Sequence, residues 1–418
     1  MSEQELNDCE QMLKDLLISD NIKRKSAEGK LSSCLSSIQN KAKLVLYCSE
    51  LLLKTNEQGV QMYCAIIIRK VFLQSEKGNS DALLKAIPSQ EKEILKKNLL
   101  NALNSINIKS VRKQIADASA TFFSTLIENE ETWDDLLTYS MNLLSSELNE
   151  QNISNVEFGL HLITNIYSVA SDKLEKGMKV FLSNFHIYFQ SNSLSLKAKT
   201  VQCLTEILCG TLSKKEAKQF KDLMYNVLET TLKCFEQNDN ENLKICLDSI
   251  RDVSNCEPKI LRKNFQDIFI LMGKISENTE LDENLREMCF EIIVTLIEEN
   301  KKLITDSKDG YEKLENFVTR LFKYAMELDQ TIDDDWLNPS KISYISDEFI
   351  PEKKLDSMTS LLTRLFEVVD ENKLLNLTSN NIVQLINHSN DTDWKYKYIA
   401  YITVAEIASN IKKLSSIE

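Results

Sequence analysis

The residue types that usually carry catalysis or bind metals are scarce and scattered along this 418-residue chain. The ten cysteines include no C-x-x-C pair, and with only three histidines no zinc-ligand spacing is present. His161 and His186 lie inside the apolar stretches GLHLI and NFHIYF, which favours hydrogen-bonded packing histidines over ligands or bases. Phosphate loops, dinucleotide fingerprints and nucleophile elbows are absent from the sequence. The sequence therefore predicts no catalytic residue, no metal site and no cofactor.

The most distinctive candidate for binding chemistry is an acidic insertion at residues 326–354. It contains three consecutive carboxylates followed by an aromatic residue, namely Asp333, Asp334, Asp335 and Trp336. Runs of like charge are usually solvated and bind nothing. However, an exposed tryptophan beside three carboxylates suits a partner that offers lysines and arginines. We therefore expect these four residues to bind a basic partner, with a merely solvated segment as the alternative.

A second candidate set consists of basic pairs near repeated helices: Arg24–Lys25, Arg69–Lys70 and Arg112–Lys113. A solvated helix face is the ordinary explanation for such pairs, whereas a ladder of them on one face would contact a partner. The chain as a whole is acidic, with 50 basic against 63 acidic residues and a net charge of −13. This balance argues against direct nucleic-acid binding, which needs a basic surface. The longest apolar run, 62–68, is too short to span a bilayer, so no membrane insertion is expected.

The elements that must position these residues are predicted to be helices. Only 8 glycines and 4 prolines occur, fewer than a strand-rich or doubly wound fold needs for its turns. Helices with similar apolar starts begin near Ile22, Val60, Val111, Val156, Leu196, Leu243, Leu285 and Tyr396. A spacing of about 40 to 47 residues with two helices per unit is typical of HEAT or armadillo repeats. We predict an all-α solenoid of about nine HEAT-type helix pairs, an armadillo-like superhelix.

The predicted organisation has four parts. Residues 1–110 and 111–325 hold helix pairs, 326–354 form the acidic insertion, and 355–418 hold further pairs. The last apolar helix is not followed by a polar repeat that would close the stack. We therefore expect a stack truncated at its C-terminus, corresponding to the N-terminal part of a longer protein.

Five segments resemble the importin-β, or karyopherin-β, family of nuclear transport receptors. LLISDNIKRKSAEGKL at 16–31 and VQMYCAIIIRKVF at 60–72 are similar to the N-terminal domain of that family. LREMCFEIIVTLIEE at 285–299, DDDWLNP at 333–339 and DTDWKYKYIAYITVAEIA at 391–408 follow the order and spacing of the importin-5, or importin-β3, branch. The resemblance covers essentially the whole chain.

The resemblance implies a receptor that shuttles between cytoplasm and nucleus and binds Ran-GTP, basic cargo proteins through their nuclear localisation signals, and phenylalanine-glycine nucleoporins. It implies that Ran-GTP binds the first repeats, bordered by Arg24, Arg69 and Arg112, and that residues 333–336 meet basic residues of Ran or cargo. A HEAT-repeat scaffold or regulatory subunit of another complex is the alternative. An enzyme is the least favoured class, since no His, Ser or metal cluster converges.

Overall fold

The computed structural model describes residues 2–73, 80–145, 148–174, 178–210, 221–305, 308–327, 353–388 and 394–410. Within these ranges the regular structure is helical, with short 3-10 turns at Lys221–Leu223 and Arg262–Asn264, and no strand. The chain divides into two compact units, Met1–Thr211 and Leu212–Glu418. Each unit is described separately.

The first unit consists of five helix pairs. Its helices are α1 (Glu3–Leu17), α2 (Asn21–Cys34), α3 (Ile38–Lys54), α4 (Gln58–Leu73), α5 (Ser80–Ala86), α6 (Ser89–Ser105), α7 (Lys109–Glu128), α8 (Asp134–Ser145), α9 (Ile153–Leu174), α10 (Met178–Phe189) and α11 (Leu194–Cys209). Each pair has a first, or A, helix and a second, or B, helix: α1/α2, α3/α4, α6/α7, α8/α9 and α10/α11. The B helices stack directly, because α7 packs on α4, α9 on α7 and α11 on α9.

The second unit consists of four helix pairs built in the same way. Its helices are α12 (Met224–Glu236), α13 (Asn240–Cys256), α14 (Pro258–Leu261), α15 (Phe265–Ser276), α16 (Glu283–Glu299), α17 (Lys301–Thr305), α18 (Lys308–Ala325), α19 (Lys353–Val368), α20 (Glu371–His388) and α21 (Trp394–Asn410). The pairs are α12/α13, α15/α16, α18/α19 and α20/α21. The B helices again stack, with α16 against α13, α19 against α16 and α21 against α19.

The spacing of the B helices identifies the repeat class. B helices α7, α9, α11, α13 and α16 begin at residues 109, 153, 194, 240 and 283, which are 44, 41, 46 and 43 residues apart. These values lie in the HEAT range and exceed the 34-residue period of tetratricopeptide repeats. The predicted all-α, HEAT-type solenoid is confirmed, and the described helices form nine pairs.

Buried aromatic side chains connect one pair to the next. In the first unit, the ring of Phe122 lies 4.8 Å from that of Phe72 and 5.8 Å from that of Trp133. In the second unit, Phe290 of α16 contacts Phe317 and Tyr324 of α18, with ring centroids 5.9 and 5.3 Å apart. Each fully buried ring of this size contributes roughly 2 to 3 kcal/mol through apolar burial alone. Stability therefore arises largely between pairs.

The predicted domain boundaries can be compared with the observed helices and compact units. The boundary at 110–111 lies in the first turn of α7, inside the third pair, whereas the compact units divide at Thr211. The acidic insertion falls between the A and B helices of the eighth pair, and its residues 328–352 lie outside the described residues. None of the helices in the described ranges combines the length and apolar character that crossing a membrane requires.

Candidate functional site

Arg24 lies on an almost fully solvated B helix. Asp20 caps the start of α2, since its carboxylate accepts hydrogen bonds from the backbone N–H groups of Ile22 and Lys23 at 2.9 and 3.3 Å. Of the side chains of α2, only Ala27 is buried. The Arg24 guanidinium donates a 2.6 Å hydrogen bond to the Asn21 side chain of its own helix, and the arginine remains 45% exposed. Arg24 is accessible to a partner.

Arg69 lies near the end of α4 and is also accessible. Its side chain is 44% exposed, and its Nη1 atom lies 3.5 Å from Oδ2 of Asp117 on the neighbouring B helix α7. Ile66, one helical turn earlier on α4, is exposed as well. This part of α4 therefore presents a positive charge beside an apolar side chain.

Asp117 joins three successive B helices. Its Oδ1 atom lies 2.7 Å from Nε2 of His161 and accepts a 2.9 Å hydrogen bond from Nδ2 of Asn165, both on α9. We refer to Arg69, Asp117, His161 and Asn165 as the Asp117 cluster. His161 is thus a hydrogen-bonded packing histidine, as its sequence context indicated. No sequence pattern singled out Asp117 or Asn165.

The charge of Asp117 is stabilised by its surroundings. Burial raises the pKa of this carboxyl, but the hydrogen bond from His161 and the electrostatic interactions with His161, Arg69 and Lys113 outweigh burial. The net pKa lies below its usual range. Asp117 is therefore a carboxylate at neutral pH and attracts Arg69.

Arg112 occupies a different kind of position. Its Nε donates to the carbonyl of Leu103, Nη1 to the Asn155 side chain and Nη2 to the Tyr139 hydroxyl, at 2.9, 2.9 and 3.0 Å. Its guanidinium carbon also lies 4.0 Å above the ring of Phe158. These contacts tie α7 to both helices of the fourth pair. The structure thus brings Arg69 together with Asp117, whereas Arg112 is engaged between two pairs and Arg24 contacts its own helix.

A matching arginine in the second unit was missed at the sequence level. Arg286 is the fourth residue of α16, just as Arg112 is the fourth residue of α7. Its side chain is 3% exposed, and it donates to the Ser276 carbonyl at 2.8 Å and to both carboxylate oxygens of Glu327 at 2.5 and 2.7 Å. Its guanidinium carbon lies 4.9 Å from the Tyr324 ring. Arg286 therefore ties the seventh pair to the eighth.

Lys354 belongs to the same ion-pair group. Its Nζ atom lies 2.7 Å from Oε1 of Glu283 and donates a 3.1 Å hydrogen bond to the backbone carbonyl of Glu327. Glu327 directly precedes the stretch 328–352, and Lys354 is the second residue after it. Glu327 and Lys354, on either side of this stretch, are therefore attached to the first turn of α16.

Comparison with known proteins shows a consistent relationship. The family model described as IPO5-like, TPR repeats matches residues 107–271. Importin subunit beta-3 of Saccharomyces cerevisiae is 21% identical over 323 residues, which cover 76% of this chain and 28% of the yeast protein. These matches show that the chain is similar to proteins of the importin-β family. The similarity is to the importin-5, or importin-β3, branch, which confirms the resemblance indicated by the sequence motifs.

Solved structures show the same fold. The crystal structure of Kap121p bound to RanGTP matches 99% of this chain with a TM-score of 0.69 and 17% sequence identity, and that of Kap121p bound to Nup53p gives 0.68 and 17%. At this identity the likeness establishes the fold. The chain spans 38% of the length of these Kap121p chains and 28% of the yeast importin.

The acidic residues that carried the importin-5 resemblance, Asp333 to Trp336, lie outside the described residues. Their contacts remain a prediction, and the described structure supplies only the attachment of the flanking residues to α16. No group of three or more His, Cys, Asp or Glu side chains in the described ranges could hold a metal ion. Of the three arginines predicted to border a binding site, Arg24 and Arg69 are thus accessible, whereas Arg112 is engaged within the stack.

Proposed function

We propose that this chain works as a nuclear transport receptor that binds Ran-GTP, cargo and nucleoporins and performs no catalytic step. The observation that carries the proposal is the similarity of the chain to the importin-5 branch. Kap121p, which has the same fold, has been crystallised with RanGTP, with the nucleoporin Nup53p, and with Ste12p, Pho4p and Ulp1p. As part of this proposed function, the protein shuttles between cytoplasm and nucleus.

We place the Ran-GTP site on the B helices of the first three pairs. Arg24 and Arg69 keep nearly half of their side chains exposed there, and Ile22 and Ile66 provide exposed apolar area beside them. An exposed arginine–carboxylate pair contributes about 0.2 to 1 kcal/mol, so each arginine affects the rate of encounter more than the final affinity. Arg112 borders this site from within the stack, where it fixes α7 against the fourth pair.

We place basic cargo at the acidic insertion. Asp333, Asp334 and Asp335 would attract the lysines and arginines of a nuclear localisation signal, and Trp336 would pack against their aliphatic stems. Because Glu327 and Lys354 are attached to α16, the described residues near the two ends of the insertion are fixed to the seventh pair. Phenylalanine-glycine nucleoporins would bind between neighbouring A helices.

The deciding experiment compares Ran loaded with GTP and with GDP. Titration calorimetry with the purified chain should give clear binding to Ran-GTP and at least tenfold weaker binding to Ran-GDP. Arg24→Ala with Arg69→Ala should weaken Ran-GTP binding. Arg112→Lys, which keeps the charge but not the three-way hydrogen bonding, serves as the control for a structural arginine. Equal or absent binding to both nucleotide forms would contradict the proposal and favour a HEAT-repeat scaffold or regulatory subunit of another complex.

A further inference from the structure

We propose that Asp117 is a positioning residue for Arg69, and that His161 and Asn165 fix Asp117 in the required orientation. The inference rests on the proposed function, because it gives Arg69 its role at the partner-binding face. Its structural basis is the Asp117 cluster, which spans the B helices α4, α7 and α9.

The two oxygens of the Asp117 carboxylate have different tasks. Oδ1 receives both groups from α9, His161 at 2.7 Å and Asn165 at 2.9 Å, whereas Oδ2 is the oxygen that faces Arg69 at 3.5 Å. The Asp117 side chain is only 12% exposed, so neighbouring atoms restrict its rotation. Two contacts on one oxygen fix the plane of the carboxylate, and this plane determines where Oδ2 lies.

Asp117 can position Arg69 and still leave the guanidinium free to bind a partner. The separation of 3.5 Å between Nη1 and Oδ2 is longer than an ideal charge-assisted hydrogen bond, and 44% of the side chain remains exposed. A guanidinium has five N–H donors, so one loose ion pair leaves donors for a carboxylate on a partner. Ordering a long side chain before binding lowers the entropy that binding must otherwise remove.

Arg24 provides the internal contrast. Its guanidinium is held only by short-range contacts on α2, a hydrogen bond to Asn21 and a 3.8 Å approach to Glu28. Arg69 is instead paired with Asp117 on α7, and Asp117 is itself hydrogen-bonded to α9. A change in the packing of the second to fourth pairs therefore moves Arg69 but not Arg24. Loss of the Asp117 charge should affect partner binding only through Arg69.

A double-mutant cycle tests this statement. Affinity for Ran-GTP is measured for the wild type, Asp117→Asn, Arg69→Ala and the double variant. We expect Asp117→Asn to weaken binding about two- to fivefold when Arg69 is present and to have almost no effect when it is absent. Asp172→Asn, an exposed residue on α9, makes the same charge change away from Arg69 and should leave affinity unchanged. An equal effect of Asp117→Asn in both backgrounds would show that Asp117 acts on the fold, which contradicts the inference.

A second measurement needs no partner. Phenylglyoxal modifies accessible arginines, and peptide mass spectrometry gives the rate at Arg69 and Arg24 in the same sample. Asp117→Asn should raise the rate at Arg69 at least twofold and leave Arg24 unchanged, and Asn165→Ala, which keeps the charge, should give a smaller increase at Arg69. If Ran-GTP fails to bind the wild type while these rates change as expected, the proposed function is wrong and the positioning role stands. Unchanged rates at Arg69 would overturn the positioning role.

Discussion

Replacing Arg286 tests whether single side chains hold neighbouring helix pairs together. The Arg286 guanidinium is 3% exposed, forms a bidentate contact with Glu327, donates to the Ser276 carbonyl and lies over Tyr324. Breaking a buried ion pair from one side costs about 3 to 5 kcal/mol, because a charge is left without its partner. Glu327 keeps 29% exposure and has Lys354 Nζ 3.8 Å from its carboxylate, which places the expected loss at about 3 kcal/mol, the lower end of that range.

The measurement must be local, because a chain with two compact units does not unfold in one step. Hydrogen exchange followed by mass spectrometry reports the opening free energy of α16 and α18 separately from the first unit. A loss of about 3 kcal/mol corresponds to roughly 100-fold faster exchange in these two helices. We expect this acceleration for Arg286→Met, which keeps most of the volume, and no change for Arg24→Ala.

The Glu327 partner separates loss of the pair from loss of packing. Arg286→Met combined with Glu327→Gln removes both charges, so the double variant should exchange more slowly in α16 than Arg286→Met alone. Exchange of Arg286→Met within a factor of three of the wild type would refute the assignment. Equal acceleration in the double and single variants would show that packing, and not an unpaired carboxylate, carries the energy.

Three further predictions concern other parts of the chain. Phe290→Ala should destabilise the second unit by about 3 to 5 kcal/mol, since this ring is buried between Phe317 and Tyr324, and thermal unfolding with an unchanged transition would contradict it. Because the folded pKa of Asp117 is lowered, its contribution to stability is complete above the unfolded pKa of about 3.9 and is lost as pH falls through the folded value. Acid titration should therefore show a shallower decline for Asp117→Asn, and identical acid limbs would contradict this. Replacing all three acidic residues Asp333, Asp334 and Asp335 by Asn should weaken cargo binding mainly at low salt, and an affinity that does not depend on salt would argue against an ionic contact.

The B helices could be predicted from sequence because they are buried on several sides. Apart from the solvated α2, each packs on its own A helix and on at least one neighbouring B helix, so apolar residues cover most of its circumference. In α16, for example, eleven of seventeen residues are buried, among them Leu285, Cys289 and Ile292. The starts predicted near Val60, Val111 and Leu243 accordingly fall within α4, α7 and α13.

Less of the candidate site could be predicted from the sequence. Arg24, Arg69 and Arg112 were selected as basic pairs, but residue type does not indicate which way a side chain faces. Arg69 is the twelfth residue of α4, whereas Arg24 and Arg112 are fourth residues of their helices. The partners of Asp117 are 48 residues before it and 44 and 48 residues after it, so the cluster emerges only when the helices stack.

The fourth residue of a B helix shows why residue type alone did not reveal the contacts of Arg112 within the stack. Arg112 and Arg286 both donate Nε to a carbonyl at the end of their own A helix, and both reach a polar partner about one repeat later, Asn155 after 43 residues and Glu327 after 41. Gln61, the fourth residue of α4, is also buried and donates to the Leu52 and Thr55 carbonyls at 3.3 and 2.9 Å. A polar residue at this position therefore serves the stack when an acceptor follows about one period later, and its charge should not be counted toward a binding face. By this rule Arg112 could have been assigned to the stack from sequence alone, once the start of α7 and the repeat period were known.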